Sequence, residues 1–447
     1  MISFDLLLTC LAVGVVGAVL ATIVSLVPGL HIYSILGFVV LAVLEPGAFE
    51  VLSNPLVFSA LTVSMLVGYC LGSCISSTYF QTPDDSSVFM VFPSQKYLQD
   101  GRGYEAAYLA GLGALVGVVL ACGLILVAMD FLTRLVDLLA DHSLWIIVTA
   151  MAFVWLSEWP KDPARQKKRI GRLAAAWVQL LMGLVTIAAA GILGIYLFFS
   201  QLVPADRAFQ GLAAAFVGLF AFPSLLQNLV ASRRDVPPQH QGKSVEITGA
   251  EVVQGIGAGA IGGAIGMLVP SLTAGVGNSF ARHAVAQSGD RSFMFSQGLS
   301  RSVYYLGAVL LLFIPGVTIR RGGAALFITL FYVPETTGEL LAIVATTLVA
   351  AAAGWATFHA LVRAVNRSAH KINNRLVALL GAAVMLALTY WMLGLPGLFV
   401  LAVATAIGEI PLVFNTRRIH CIAVIVVPIA LSMAGLTPAV SAAFGLG

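Results

Sequence analysis

Charge is scarce in this chain. Only 10% of its 447 residues are charged, against about 25% in soluble domains, which excludes a water-soluble globular enzyme. Its 24 basic and 20 acidic residues leave a net +4, too little for a nucleic-acid footprint. The five cysteines, Cys10, Cys70, Cys74, Cys122 and Cys421, sit in apolar segments. Their odd number and the lack of metal-ligand spacing exclude a disulfide framework and a zinc site. No GxxxxGK[ST] occurs, so nothing points to ATP-driven work. A basic n-region and a small-residue cleavage site are missing, and the first apolar block is expected to be a retained span. The blocks do not alternate, which excludes a transmembrane β-barrel. What is abundant is apolar: 59% hydrophobic residues and 44 glycines, with mean hydropathy +0.97.

Apolar blocks recur near 6–27, 30–44, 56–80, 106–131, 143–157, 173–200, 209–230, 249–269, 301–314, 324–350, 351–362, 376–394, 397–414 and 419–436. A span needs about 20 apolar residues. The pattern predicts an all-α polytopic membrane protein with roughly 10 to 14 membrane helices, some short or re-entrant. Basic loops at 161–172 and 363–375, and the Arg417–Arg418 pair, are expected on the cytoplasmic side. The stretch 236–248 reads as a linker between a first transmembrane repeat, 1–235, and a second, 249–447.

Two motif pairs support duplication. GAVLATIVSLVPGLHIY at 17–33 resembles GGAIGMLVPSLTAGVGN at 262–278, and YFQTPDDSS at 79–87 corresponds to LFIPGVTIRRGG at 312–323. A third pair closes each half: FAFPSLLQNLVASRR at 220–234 and IGEIPLVFNTRR at 407–418. Pro/Gly interruptions at matching places in two halves mark secondary transporters. A broken helix in lipid frees backbone N–H and C=O groups that only protein, water or ligand can satisfy. The N-terminus of a half-helix then suits an anion. Whether the repeats are parallel or inverted stays open at this level. The glycine run 255–266 has the spacing of close helix packing.

These motifs resemble the TctA-type large membrane subunit of the tripartite tricarboxylate transporters, over about residues 10–435. LVPGL at 26–30, the segment 68–111 and IPGVTIRRGGAALF at 314–327 carry the resemblance. This chain has Pro83-Asp84-Asp85 and Pro270-Ser271 where that family usually has Pro-Gly. The resemblance implies proton- or sodium-driven uptake at the plasma (inner) membrane. It also implies a small membrane subunit and a periplasmic binding protein as partners. A homodimer is a separate expectation.

The candidate substrate-binding residues follow the breaks: Pro28, Gly29, His31 and Tyr33; Thr82, Pro83 and Ser86; Pro270, Ser271, Thr273 and Asn278; and Pro315, Gly316, Arg320 and Arg321. Each has a plainer counterpart, namely a kink, a solvated loop or a positive-inside anchor. Arginine binds carboxylate in bidentate fashion, so Arg320 and Arg321 lead as anion ligands. An ionisable group at membrane depth is a functional hypothesis by default, which makes His31, Asp84 and Asp85 the candidates for the coupling ion, H+ or Na+. Arg282 and Glu409 are secondary candidates; Arg102 and Glu105 look like a helix-start turn. No other cofactor and no metal is expected. The leading function is a secondary active transporter, not an enzyme, for an anionic organic solute such as a carboxylate. The alternatives are a flippase of a lipid-linked phosphate such as polyprenyl phosphate and a membrane-embedded lipid-modifying enzyme.

Overall fold

The computed structural model describes residues 2–44, 50–82, 84, 86–159, 169–204, 207–230, 236–240, 245–269, 272–315, 317 and 322–446. Pro83, Asp85, Pro270, Ser271, Gly316, Arg320 and Arg321 lie outside the described residues. The fold is all-α, with no strand among the described residues. In chain order the helices are α1 (Phe4–Val24), α2 (Ile32–Leu44), α3 (Pro55–Tyr79), α4 (Val91–Gln99), α5 (Gly103–Val127) and α6 (Met129–Leu156). Then come α7 (Arg169–Phe199), α8 (Ala208–Phe216), α9 (Phe222–Val230), α10 (Gly249–Leu268), α11 (Ala274–Ala284) and α12 (Asp290–Leu311). The last are α13 (Gly322–Thr329), α14 (Thr337–Ser368), α15 (Asn374–Val413), α16 (Ala423–Met433) and α17 (Thr437–Ala443).

Local chemistry sets the helix starts. Ser3 caps α1 through a bond from Leu6 N–H, and Asn54 caps α3 with Pro55 in its first turn. Thr248 with Glu251 and Thr336 with Glu339 form capping boxes on α10 and α14. Each box satisfies two N–H groups that the helix geometry leaves unpaired.

Among the described residues, nine helices are long and apolar enough to cross a membrane, or ten if the bent pair Arg418–Met433 and Thr437–Ala443 counts as one. That is a multi-pass membrane protein, near the lower end of the expected range. The 40-residue α15 is two limbs, as the separate blocks 376–394 and 397–414 anticipate. Gly394 breaks it with φ 65° and ψ −150°, a conformation reserved for glycine. Gly381 packs against Pro28 and Leu225, while Gly408 packs against Leu219 and Pro223. The second limb therefore runs alongside α8 and α9, and the first runs back against them.

Glycine contacts also give the helix directions. Gly14 of α1 meets Ser64 of α3 and Thr346 of α14, while Thr22 of α1 and its C-cap Ser25 meet Gly72 of α3 and Thr22 also meets Gly354 of α14. Residue numbers rise together, so α1, α3 and α14 are parallel. Gly255 and Gly263 of α10 meet Phe295 and Val303 of α12, and Gly113 and Gly117 of α5 meet Phe295 and Leu299. Hence α5, α10 and α12 are parallel to one another. The two sets oppose each other, because α3 and α12 cross antiparallel. Ser73 touches Arg301 and the Tyr69 ring lies 6.1 Å from that of Tyr305. Helix α11 returns along α10, with Gly277 against Gly262 and Ala274 against Gly266, so α10 and α11 pack as an antiparallel pair. The small residues of the 255–266 run serve this close packing, as their spacing predicts.

Two apolar bodies result. One large core joins α1, α2, α3, α5, α12, α13 and α14. A second joins side chains of α6, α7, α8, α15 and α16, and takes in Val88, Val269, Leu272 and Val276 beside the second and third breaks.

Candidate functional site

Described residues that flank the helix breaks gather around the crossing of α3 and α12. His31, just after the first break, is buried. Its Nδ1 accepts the Tyr33 backbone N–H at 3.2 Å, so the proton of the neutral ring sits on Nε2. That nitrogen lies 3.4 Å from the Tyr305 hydroxyl of α12. The ring also stacks toward Phe216 at 6.0 Å, which ties the first break to the second body. The Tyr33 hydroxyl accepts the Gly323 N–H at 3.2 Å, joining the first break to the helix that follows the fourth.

Asp84 lies in the second break, with its side chain 7% exposed. Its Oδ1 accepts from Ser86 Oγ at 2.8 Å, Ser87 N–H at 2.8 Å and Ser87 Oγ at 2.6 Å. Its Oδ2 accepts from the Tyr69 hydroxyl at 2.7 Å. Arg301 faces it from mid-α12, its side chain 1% exposed, with Nη2 at 3.7 Å from Asp84 Oδ1. Arg301 also donates to Ser73 Oγ, and its Nε has no hydrogen-bond partner among the described residues. The third break joins through Thr273, buried at the start of α11. Ser300 of α12 donates to the Ala274 carbonyl at 3.2 Å, and Asn278 donates to Ser296 at 3.1 Å.

A small cavity of about 20 Å³ lies among His31, Tyr69, Ser73, Ser76, Thr82 and Asp84. That is room for a water molecule or a bare cation, not for an organic anion. A far larger cavity of about 1250 Å³ lies beyond it. Phe80 and Gln81 line the large cavity where Thr82 and Asp84 line the small one, and Ser224 lines the large one where Phe220 lines the small. Arg282, Arg375, Arg417 and Arg418 line the vestibule, with Glu158 as the one acid among its described lining residues. Glu158 is itself engaged by His420 Nε2 at 2.9 Å and by the Arg417 N–H at 2.9 Å. Arg418 donates to Ser224 Oγ at 2.5 Å and to the Phe220 carbonyl at 3.3 Å. Phe220 belongs to a π-helical turn, Val217–Ala221, and such turns cluster at functional sites. The vestibule is therefore a positively charged funnel toward the helix breaks.

The structure thus brings together His31, Tyr33, Thr82, Asp84, Ser86 and Thr273 and sets Gly29 against the small cavity. Pro28 packs on Gly381 instead, and Pro315 is half-buried in the fourth break. Arg282 is exposed, over the Phe293 ring at 5.0 Å. Arg102 and Glu105 form the expected helix-start pair, bidentate at 2.9 and 2.8 Å, and Arg291 joins Glu105 at 2.9 Å. Sequence reasoning missed Arg301, Tyr69, Ser73 and Tyr305. The signal for Arg301 was present: Gln297, Ser300 and Tyr305 recur with it at helical spacing in DRSFMFSQGLSRSVYYLGAVLL.

A stretch of 219 residues is 27% identical to an uncharacterised protein of Methanocaldococcus jannaschii, covering 48% of this chain and 47% of that protein. The chain thus matches about half the length of that relative. No solved structure matches. Residues 11–423 match the tripartite tricarboxylate transporter TctA family. With nearly the whole span of membrane helices covered, the chain belongs to the tripartite tricarboxylate transporter TctA family.

Proposed function

We propose that this protein carries an organic anion of the carboxylate class across the plasma membrane, driven by a proton or sodium gradient. The observation that carries the reading is the basic vestibule beside the crossing of α3 and α12, where a buried arginine and a buried aspartate face each other. Backbone N–H groups freed at breaks, together with guanidinium groups, suit a carboxylate. A small membrane subunit and a periplasmic binding protein are the partners this reading assigns, in keeping with the tripartite family.

The two halves are read as inverted-topology repeats. The antiparallel sense of α1 against α10 and of α3 against α12 supports this, since these helices carry the first two motif pairs. The third pair does not follow the relation, because α9 and the second limb of α15 run the same way. Inverted halves meeting at a mid-membrane site are the architecture of alternating access.

The basic side, with Lys96, Arg291, Lys371 and Arg375, is read as cytoplasmic, so this conformation faces inward. The test is uptake of labelled citrate into proteoliposomes under an imposed sodium or pH gradient. Accumulation that collapses with the gradient supports the reading. No accumulation under either gradient, with the partner subunits added, overturns it.

A further inference from the structure

In this conformation Asp84 is surrounded by donors. Three bonds reach Oδ1 and one reaches Oδ2, all from hydroxyls or backbone N–H. A cation approaching it meets the Arg301 guanidinium 3.7 Å from Oδ1. Arg301 is the less satisfied partner. It reaches Ser73, stands at ion-pair distance from Asp84, and leaves Nε without a partner among the described residues. A guanidinium has five donors arranged for a bidentate carboxylate. Beside the pair, Thr82 Oγ1 is buried without a partner among the described residues, and it lines the small cavity with Ser73, Ser76 and Asp84. Among the described residues, the charged and titratable groups facing Asp84 are Arg301 from α12, Tyr69, Cys70 and Cys74 from α3, and His31 from the first break.

We propose that Arg301 is a shared ligand: it pairs with Asp84 in the empty carrier and with a carboxylate of the transported anion in the loaded one, and Asp84, once released, takes a monovalent cation beside Thr82. The proposal rests on the anion-transport reading and names its coupling step. An anion binding alone strips Asp84 of its counter-ion in a buried site, and a cation binding alone is repelled by Arg301. Together they neutralise both groups, so each raises the affinity of the other by the same factor. Loading then requires both solutes, which is what coupled transport needs.

Two arms test this in the purified full-length protein. The first uses no anion substrate. Thermal unfolding midpoints of wild type, Arg301→Gln, Asp84→Asn and the double variant are measured against sodium chloride, with choline chloride as the control, and against pH. Arg301→Gln is expected to respond to cation at a concentration at least ten-fold lower than wild type, and the double variant not at all. A response to sodium at fixed pH identifies Na+, and a response to acid in choline identifies H+. Equal cation dependence in all four proteins overturns the proposal.

The second arm reads binding of labelled citrate, and it serves if Arg301→Gln does not fold. Asp84→Asn frees Arg301 and is expected to bind citrate at least ten-fold more tightly than wild type when cation is low. An Asp84→Asn protein that keeps the wild-type cation requirement overturns the proposal. If no variant binds citrate while Arg301→Gln gains its cation response, the shared-ligand step stands and the choice of citrate as solute fails.

Discussion

Arg301 of α12 and Asp84 of the second helix break face each other at 3.7 Å, both buried, across the crossing of two antiparallel helices. Neither group satisfies the other fully, since Asp84 is held by hydroxyls and Arg301 keeps a free Nε–H among the described residues. A pair so placed is costly to bury and costly to break from one side.

Its stability signature follows. Removing one partner of a buried ion pair costs about 3–5 kcal/mol, whereas neutralising both costs far less. Asp84→Asn and Arg301→Gln are each expected to unfold at clearly lower temperature than wild type, with the double variant recovering most of the loss. A fluorescent thiol-reactive unfolding assay reads the order, and all five native cysteines are buried reporters. A double variant no more stable than the singles removes the pairing argument.

Close packing of α5 on α12 gives a contrast within one helix. A methyl at Gly113 meets the Phe295 backbone, while one at Gly123 meets nothing within 4 Å. Gly113→Ala forces the helices apart and is expected to cost about 1–3 kcal/mol. Gly123→Ala is expected to be neutral or to stabilise by up to about 1 kcal/mol, the ordinary gain from replacing a helical glycine. Midpoints in the same assay check both.

Orientation is testable with single cysteines. Lys96 and Glu335 are exposed at opposite ends of the bundle, on α4 beside α12's first turn and just before α14. In intact cells, a membrane-impermeant maleimide is expected to label Glu335→Cys and to spare Lys96→Cys until the cells are opened. The buried native cysteines keep the background low. The opposite pattern turns the vestibule outward.

The vestibule arginines act at a distance. Neutralising Arg282 or Arg375 lowers the positive potential at the mouth, so KM for citrate is expected to rise severalfold at low salt with kcat nearly kept. The difference should shrink as ionic strength rises, because screening beyond about 10 Å is strong at 0.1 M salt. Initial uptake rates at two salt concentrations measure it.

Hydropathy and Pro/Gly punctuation made the membrane class legible, and with it the placement of His31, Thr82 and Asp84 beside interruptions in the helices, because broken helices carry a local signature. Gly394 and its neighbours also separated the two limbs of α15 as distinct blocks. Arg301 was hidden for a specific reason. Read by hydropathy, the apolar block begins at 301, which places the arginine at a span edge, whereas the helix begins at Asp290 and buries it mid-way. Its partners Ser73 and Asp84 are more than 200 residues away. No local periodicity reports which polar face of α12 meets which face of α3. The motif pair ending each half matches in composition, yet α9 and the second limb of α15 run in the same direction, a relation that composition does not report.

Gradient-driven accumulation of labelled citrate in proteoliposomes, with wild type and Arg301→Gln side by side and Arg102→Gln as the control at the basic edge, bears most directly on the central claim. Accumulation by wild type and by Arg102→Gln, lost in a folded Arg301→Gln protein, is the expected result. Wild-type accumulation by Arg301→Gln contradicts the account.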